Sequence, residues 1–382
     1  MATATTVPAR PDEGRRTRGR SPAPQAKSPT RRKAARLIPG LILGVAALAV
    51  LGVLSIAVGA RTISPSVVLD TIGDFNLLHA IQAHDVMAGL PSQYADDTDR
   101  LVILTLRLPR TLLGLMVGAA LGLAGCVMQG VTRNPLADPG ILGINSGAAL
   151  AVVLAITFLG VGTPGGYVWF AFVGAAVAAV IVYGIAALGR EGATPVKLAL
   201  AGAALSAGFA AVTQGFLLLN QSTFDQMRFW QVGALAGREL GMVGQVAPFL
   251  LIGCVLAPFL GRTLNTLSLG DDVARGLGAH VGLSRAASAV VVVLLCGAAT
   301  AAAGPIGFVG LTIPHVARMI TGPDYRWTLP YSMLLAPILL LGADIVGRVI
   351  ARPGEVQVAI VTAVIGAPVF IALVRRKKLA EL

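Results

Sequence analysis

Charged residues inside apolar runs are the candidates in this sequence for a catalytic or ion-binding role. Asp344 and Arg348 stand at positions i and i+4, a spacing that predicts an ion pair on one face of a helix. His315 and Arg318 follow Pro314 and predict a group that caps a helix or anchors a loop. A charge in such a run is a functional candidate by default. For these four residues, however, structural roles are favoured over catalysis.

Catalytic and metal-binding motifs are missing from the sequence. It contains no H-E-x-x-H, no G-x-S-x-G and no paired carboxylates within one apolar run. His79 and His84 are five residues apart, which does not put two ligands on one helical face and favours solvated loop histidines. Cys126, Cys254 and Cys296 lie in separate apolar runs without a C-x-x-C and predict small core residues. We therefore predict no metal site, no cofactor and no enzyme.

The composition predicts a membrane protein. Of the 382 residues, 55% are hydrophobic and 13% are charged, whereas soluble domains carry about 25% charged residues. Apolar runs that can cross about 30 Å of hydrocarbon predict an all-α polytopic membrane protein with about ten transmembrane helices. The predicted spans are 37–60, 107–131, 142–161, 166–188, 198–219, 243–262, 286–303, 305–320, 328–347 and 357–374.

Positive charge flanks the first and last spans. Residues 1–36 contain ten Lys or Arg residues, and Arg375 to Lys378 follow the last span. An even number of spans with basic ends predicts two cytoplasmic termini. We predict a disordered basic arm at 1–36, a transmembrane domain at 37–382 and an acidic extracytoplasmic loop at 61–106. Nucleic-acid binding and a cleaved signal peptide are less favoured explanations of the basic, apolar start of the chain.

Small residues dominate the spans and repeat. The step from Gly118 to Gly122 is a G-x-x-x-G, which lets two helices approach closely in lipid. The pattern of residues 118–125, with Pro135 ten residues later, recurs at 297–304 with Pro314. The two copies would run in opposite directions through the membrane, as in transporters built from inverted repeats. Chance similarity between Ala/Gly-rich helices is the alternative.

Residues 107–147 join paired arginines, a membrane-length helix and an Asn-Pro-Leu-Ala-x-Pro-Gly turn. This stretch closely resembles the second and third helices of the FecCD-type permeases, the membrane subunits of ABC importers for ferric siderophores, haem and cobalamin. The resemblance covers roughly residues 40 to 380 and implies a type II importer fold with an inverted repeat. It includes four further motifs: Trp230-x-x-Gly-x-Leu-Ala-Gly, Gly304-Pro-Ile-Gly-Phe-Val-Gly-Leu, Ala343-Asp-Ile-Val-x-Arg and Gly366-Ala-Pro-Val-Phe. The basic arm and the long loop 61–100 depart from the family.

A polar insert at 263–285 separates the sixth and seventh spans, and span counting makes it cytoplasmic. Val273, Leu277 and Val281 fall on one stripe of a predicted amphipathic helix. The resemblance implies that this insert is the coupling segment that contacts an ATPase subunit. The residues that it assigns to coupling are Leu269, Gly270, Asp271, Asp272, Ala274, Arg275, Gly276, Leu277 and Gly278.

The resemblance also implies two further sites. Arg107, Arg110 and Arg348 match family arginines that pair with carboxylates of an extracytoplasmic binding protein; ordinary snorkelling at the membrane edge is the alternative. A cytoplasmic gate, with a passive loop as the alternative, is assigned to Thr194, Pro195, Val196 and Lys197.

The energy source must lie outside this chain. A phosphate-binding loop needs a Gly-Lys pair, and the sequence has none. The resemblance therefore predicts a permease subunit, in the cytoplasmic membrane, of an ABC importer for a ferric siderophore or related iron complex. Its partners would be a second permease subunit, identical or homologous, two ATPase subunits and a solute-binding protein, with no nucleic acid. The alternatives are haem or cobalamin as the cargo, or a secondary carrier or channel.

Overall fold

The computed structural model describes residues 29–59, 63–74, 76, 97–188 and 193–375. Most of the predicted basic arm lies outside these residues, as do the middle of the predicted loop 61–106, with His79 and His84, and the last seven residues of the chain. The described residues form helices, turns and short connections, without a strand.

We number the helices of the described residues in chain order. They are α1 Pro29–Ala57, α2 Pro65–Asp74, α3 Thr98–Thr132, α4 Ile144–Leu159, α5 Pro164–Ala187, α6 Pro195–Leu219, α7 Gln221–Val232, α8 Leu240–Phe259, α9 Gly261–Ser268, α10 Asp271–Gly276, α11 Val281–Ala303, α12 Val309–Thr321, α13 Tyr325–Ile350 and α14 Val358–Arg375. One π turn lies within α3 and another within α11.

The predicted all-α polytopic fold is confirmed. In the described part of the chain, seven helices are long and apolar enough to cross a membrane, and α4 and α14 are shorter apolar helices. The remaining predicted span, 305–320, corresponds to α12. Helix α3 begins at Thr98, well before the predicted 107, because the Asp97 side chain caps it by accepting from the amides of Asp99 at 3.0 Å and Arg100 at 3.2 Å.

Helix α3 lies at the centre of the bundle, and 83% of the residues in its apolar 18-residue stretch are buried. Its glycines allow this position, because neighbouring backbones lie where side chains would stand. A Cβ on Gly118 would be 2.5 Å from the Pro337 Cα of α13, and a Cβ on Gly125 would overlap the Gly310 carbonyl of α12. The predicted G-x-x-x-G step therefore packs α3 against α13.

Two sequence expectations differ from the structure in detail. The coupling segment is not one amphipathic helix, because Gly270 and Gly278 have φ of +101° and +83° and interrupt it. Val273 and Leu277 are consequently 52% and 66% exposed while Val281 is 5% exposed, so the predicted common stripe is wrong. The two copies of the repeated pattern also end differently, since α3 continues to Thr132 whereas α11 stops at Ala303.

Candidate functional site

Charged side chains gather at two places, which lie at opposite ends of the central helix α3. We name them the arginine end, around Arg110 and Arg348, and the turn end, around Arg133 and Asp271. The arginine end contains the beginning of α3 and the last turns of α1 and α13. The turn end contains the last turn of α3 and the short helices α9 and α10.

At the arginine end, one buried carboxylate lies between two guanidinium groups. Asp344 is 1% exposed. Arg110 donates to it from Nε, at 3.1 and 3.0 Å, and from Nη2, at 2.8 Å. Arg348 Nη2 lies 2.8 Å from Oδ2 of the same carboxylate, which confirms the predicted i, i+4 pair. A second carboxylate, Glu355, accepts from Arg110 Nη1 at 2.6 Å. The cluster thus pairs its two arginines with two acids.

Arginines also cap the end of α1. The last carbonyls of a helix have no partner within the helix and carry partial negative charge. Arg348 Nη1 donates to two of them at 2.8 and 2.9 Å, Arg107 Nη1 to two at 2.7 Å, and Arg352 Nη2 to a fifth at 2.8 Å. The accepting carbonyls are those of Ser55, Ile56, Ala57, Val58 and Gly59. These bonds fix α1 to α3 and α13.

The structure brings the three predicted docking arginines together at this one end. Arg107, Arg110 and Arg348 are 5%, 7% and 2% exposed, and each donates to groups of this chain. The exposed charged residues beside them are Arg352 and Glu355, in the connection from α13 to α14. Neither residue was singled out from the sequence. The signal that could have found them is that two charged residues directly follow a span that ends with the charged pair Asp344 and Arg348.

At the turn end, Asp271 joins three segments of the chain. Its Oδ1 lies 3.0 Å from Arg133 Nη2, at the end of α3, and both of its oxygens lie 3.0 Å from Arg285 Nη2, in α11. Arg285 is 8% exposed, and its Nη1 donates to the Ala193 carbonyl at 3.3 Å. Ala193 immediately precedes the predicted gate. Among the predicted coupling residues, Asp271 is therefore linked, through Arg285, to the connection that leads into α6.

The other predicted coupling residues form an exposed turn around α10. Leu269, like Val273 and Leu277, is more than half exposed, and the exposed residues Asp272 and Arg275 pair with each other at 3.0 Å. Ala274 is buried against Leu267 and Val281, which anchors the turn. The predicted gate residues begin α6: Thr194 Oγ1 accepts from the Lys197 amide at 3.4 Å, and Pro195 is the first helical residue.

A cavity of about 250 Å³ opens at the turn end. It is lined by Gln129, Arg133, Pro135, Ser268, His315, Arg318, Pro323 and Tyr325. Arg318 Nη2 donates to Gln129 Oε1, and Gln129 Nε2 donates to the Leu311 carbonyl at 3.0 Å. These bonds tie α3 to α12. The described residues contain no group of three His, Cys, Asp or Glu side chains placed to hold a metal ion.

The end of the Asn-Pro-Leu-Ala-x-Pro-Gly turn packs between helices, whereas Asn134 and Leu136 at its start are exposed. A Cβ on Gly202, two turns into α6, would overlap the Ile141 carbonyl. Asp138 caps the short 3₁₀ turn Pro139–Leu142 by accepting from the Gly140 amide at 2.8 Å. Burial raises the pKa of the Asp138 carboxyl, and the bond from Gly140 opposes that rise.

Known proteins have sequences and a fold similar to those of this chain. The model of the FecCD transport family matches residues 47–376. The probable siderophore transport system permease protein YfiZ of Bacillus subtilis (strain 168) is 48% identical over 73% of this chain and 84% of its own length. The ferric enterobactin transport system permease protein FepD of Escherichia coli (strain K12) is 45% identical over 89% and 95%. A metal-chelate type ABC transporter solved in an inward-facing conformation is 29% identical, with a TM-score of 0.73 over 87% of this chain and 98% of its own. On this family match, the chain belongs to the FecCD transport family.

Proposed function

We propose that this chain is the permease subunit of an ABC importer that carries a ferric siderophore or related iron complex across the cytoplasmic membrane. The named relatives serve siderophore and ferric enterobactin transport, and the structural relative is a metal-chelate transporter. The observation that carries the proposal is the match of the FecCD transport family to residues 47–376. The exposed turn around α10 supplies a surface for an ATPase subunit, because Leu269, Val273 and Leu277 are 59%, 52% and 66% exposed there.

The turn end faces the cytoplasm in this proposal, and the arginine end faces the opposite side. Exposed arginines are frequent at the turn end, whereas the arginines of the other end are mostly buried, and the positive-inside rule assigns such an end to the cytoplasm. The exposed arginines of the turn end are Arg133, Arg262, Arg275 and Arg326. The last described residue of α14, Arg375, adds one more charge next to the basic C-terminus. Both chain termini are then cytoplasmic.

Two separate ATPase subunits drive transport, one of them bound to the exposed turn of this chain. Three exposed apolar side chains on a polar turn lose contact with water when a partner's groove covers them. Gly278 follows them at φ +83°, with no atom within 4 Å of a Cβ built on it. A side chain at this position would both strain the backbone and occupy the space into which a partner packs.

The bonds of Asp271 transmit movement of the turn to the gate. Asp271 is the first residue of α10, and Arg285 connects it to the Ala193 carbonyl beside the gate residues Thr194 to Lys197. Hydrogen bonds to charged groups contribute about 1.5–3 kcal/mol each. Since Arg285 is buried, displacement of α10 by an ATPase subunit shifts α11 and the start of α6 together. The proposed gate opens and closes through this connection.

The cargo crosses between two permease subunits in this proposal. Helix α3 fills the centre of the single chain and leaves no room there for a bulky chelate. In helix α6, by contrast, only 17% of the residues in the apolar 18-residue stretch are buried. It also exposes the polar side chain of Gln214. An exposed amide within a span is costly in lipid and fits a second protein chain or an aqueous pathway.

A solute-binding protein delivers the cargo at the arginine end. Arg107, Arg110 and Arg348 contribute to this docking by holding α1, α3 and α13 in register. The exposed residues Arg352 and Glu355 then present charge to the binding protein. Complementary charges at the rim of such a contact mainly increase the association rate.

Uptake measurements test this proposal. A strain that lacks the gene is supplied separately with a radiolabelled ferric siderophore, haem and cobalamin. We expect loss of uptake of the ferric siderophore alone and its recovery when the gene is restored. Loss of haem or cobalamin uptake, with siderophore uptake unchanged, would reassign the cargo within the family. No change in any of the three would contradict the proposal.

A further inference from the structure

The cavity at the turn end is cationic. Of its eight lining residues, two are arginines and none is an acid. Arg133 and Arg285 share the Asp271 carboxylate beside the cavity, and Arg318 adds a further guanidinium group to the cavity lining.

Arg318 is the unbalanced charge. It is 7% exposed, and within the described residues it makes no ion pair; its bond to Gln129 involves a neutral amide. The carboxylate of Asp324, between the lining residues Pro323 and Tyr325, accepts from Asn265 Nδ2 at 2.7 Å and from the Arg326 amide at 3.0 Å, both at Oδ1, and makes no ion pair with Arg318 in the described residues. A buried arginine without a counter-charge is costly unless an anion neutralises it.

The other polar groups of the cavity are suited to an anion with several oxygens. His315 is 7% exposed and lines the cavity without a hydrogen-bond partner in the described part of the chain. Guanidinium forks bind phosphate oxygens in pairs, and an imidazole and a phenol can donate further bonds. At about 250 Å³ the cavity is larger than a single carboxylate requires.

The position of the cavity also fits a phosphate group. Helices α3 and α12 end beside it, at Thr132 and Thr321, and the partial negative charge of their last carbonyls is one that the cavity's arginines must outweigh for an anion to bind. In the orientation given under Proposed function, this is the depth of the cytoplasmic headgroups, and basic pockets between spans on that side bind anionic lipid headgroups. We propose that the cavity is a binding site for a phosphate group, supplied either by an anionic phospholipid or by free phosphate.

Two binding measurements on the full-length chain purified in detergent test this site and identify the source of the phosphate. Mass spectrometry of the purified protein measures co-purified phosphatidylglycerol and cardiolipin. Titration of the delipidated protein with inorganic phosphate, followed by thermal unfolding, measures free phosphate. We expect one of the two ligands to bind the wild type. Arg318→Gln should weaken the binding of that ligand by about tenfold or more, because a charge-assisted hydrogen bond is lost.

Arg262→Gln is the matched control, since Arg262 is an exposed arginine of α9 that does not line the cavity. It should bind like the wild type. If Arg318→Gln does not fold, Arg133→Gln replaces it, because the Arg133 side chain is 35% exposed and also lines the cavity. Binding of neither ligand to the wild type, or equal binding to the cavity variants, would overturn the proposal.

Discussion

Replacement of Asp344 by Asn tests the buried charge cluster at the arginine end. The substitution keeps the shape of the side chain and removes the one negative charge between Arg110 and Arg348. Both arginines remain buried, at 7% and 2% exposed. Glu355→Gln is the matched control, because Glu355 also pairs with Arg110, at 2.6 Å, but its side chain is 32% exposed.

The two substitutions should differ widely in cost. Removal of one partner of a buried ion pair costs about 3–5 kcal/mol, because the other charge stays buried and unpaired. Arg110 retains Glu355, and Arg348 retains its bonds to Ser55 and Val58, so we expect about 3 kcal/mol for Asp344→Asn. A partly exposed pair contributes about 0–1 kcal/mol, which is the expectation for Glu355→Gln.

Reversible unfolding in mixed detergent and SDS micelles measures this difference, with tryptophan fluorescence as the signal. We expect the free energy of unfolding of the Asn variant to lie about 2 kcal/mol or more below that of the Gln variant. Equal stability of the two variants would contradict the conclusion that Asp344 neutralises the two buried arginines. It would mean that water or local rearrangement neutralises the two arginines as effectively as Asp344 does.

Three further predictions concern the turn end. Gly278→Trp should leave the chain inserted but weaken ATPase binding and abolish substrate-stimulated ATP hydrolysis; retention of both ATPase subunits and full stimulation in the purified complex would contradict the coupling assignment. Cysteines at Thr194 of two permease subunits should crosslink in the inward-closed state, and no crosslinking in any nucleotide state would indicate a passive loop. Asp271→Asn should retain ATPase subunits while uptake falls at least tenfold, since the bonds to Arg285 weaken by about 1.5–3 kcal/mol; unchanged uptake would rule out the connection through Ala193.

Hydropathy was sufficient to predict the apolar helices, because burial in lipid requires long apolar runs whatever the tertiary packing; it did not indicate α2 or the polar helix α7. The pair of Asp344 and Arg348 was also predictable, because four residues of helix bring the two side chains together. The contact of Arg110 with Asp344 was not, since 234 residues separate them in the sequence. It depends on the packing of α3 against α13 through Gly118, which no local pattern specifies.

In the coupling segment, the spacing of the apolar residues predicted an arrangement that the structure does not have. Its apolar residues have helical spacing, and that spacing predicted one stripe. Gly270 and Gly278 interrupt the helix, and their positive φ angles turn the chain so that Val281 packs inward while Leu277 remains exposed. Glycines at both ends of a short charged helix were readable as breaks. The role of Arg285 was not readable, because its partner Ala193 contributes only a backbone carbonyl.

In the proposed mechanism, ATP hydrolysis by partner subunits drives transport through this chain. The most direct measurement is uptake of a radiolabelled ferric siderophore into proteoliposomes that contain the purified importer, with the binding protein outside and ATP inside. We predict uptake that requires internal ATP and is unchanged when ionophores collapse the proton and sodium gradients. Uptake that continues without ATP and stops when the gradients collapse would identify a secondary carrier and contradict the account.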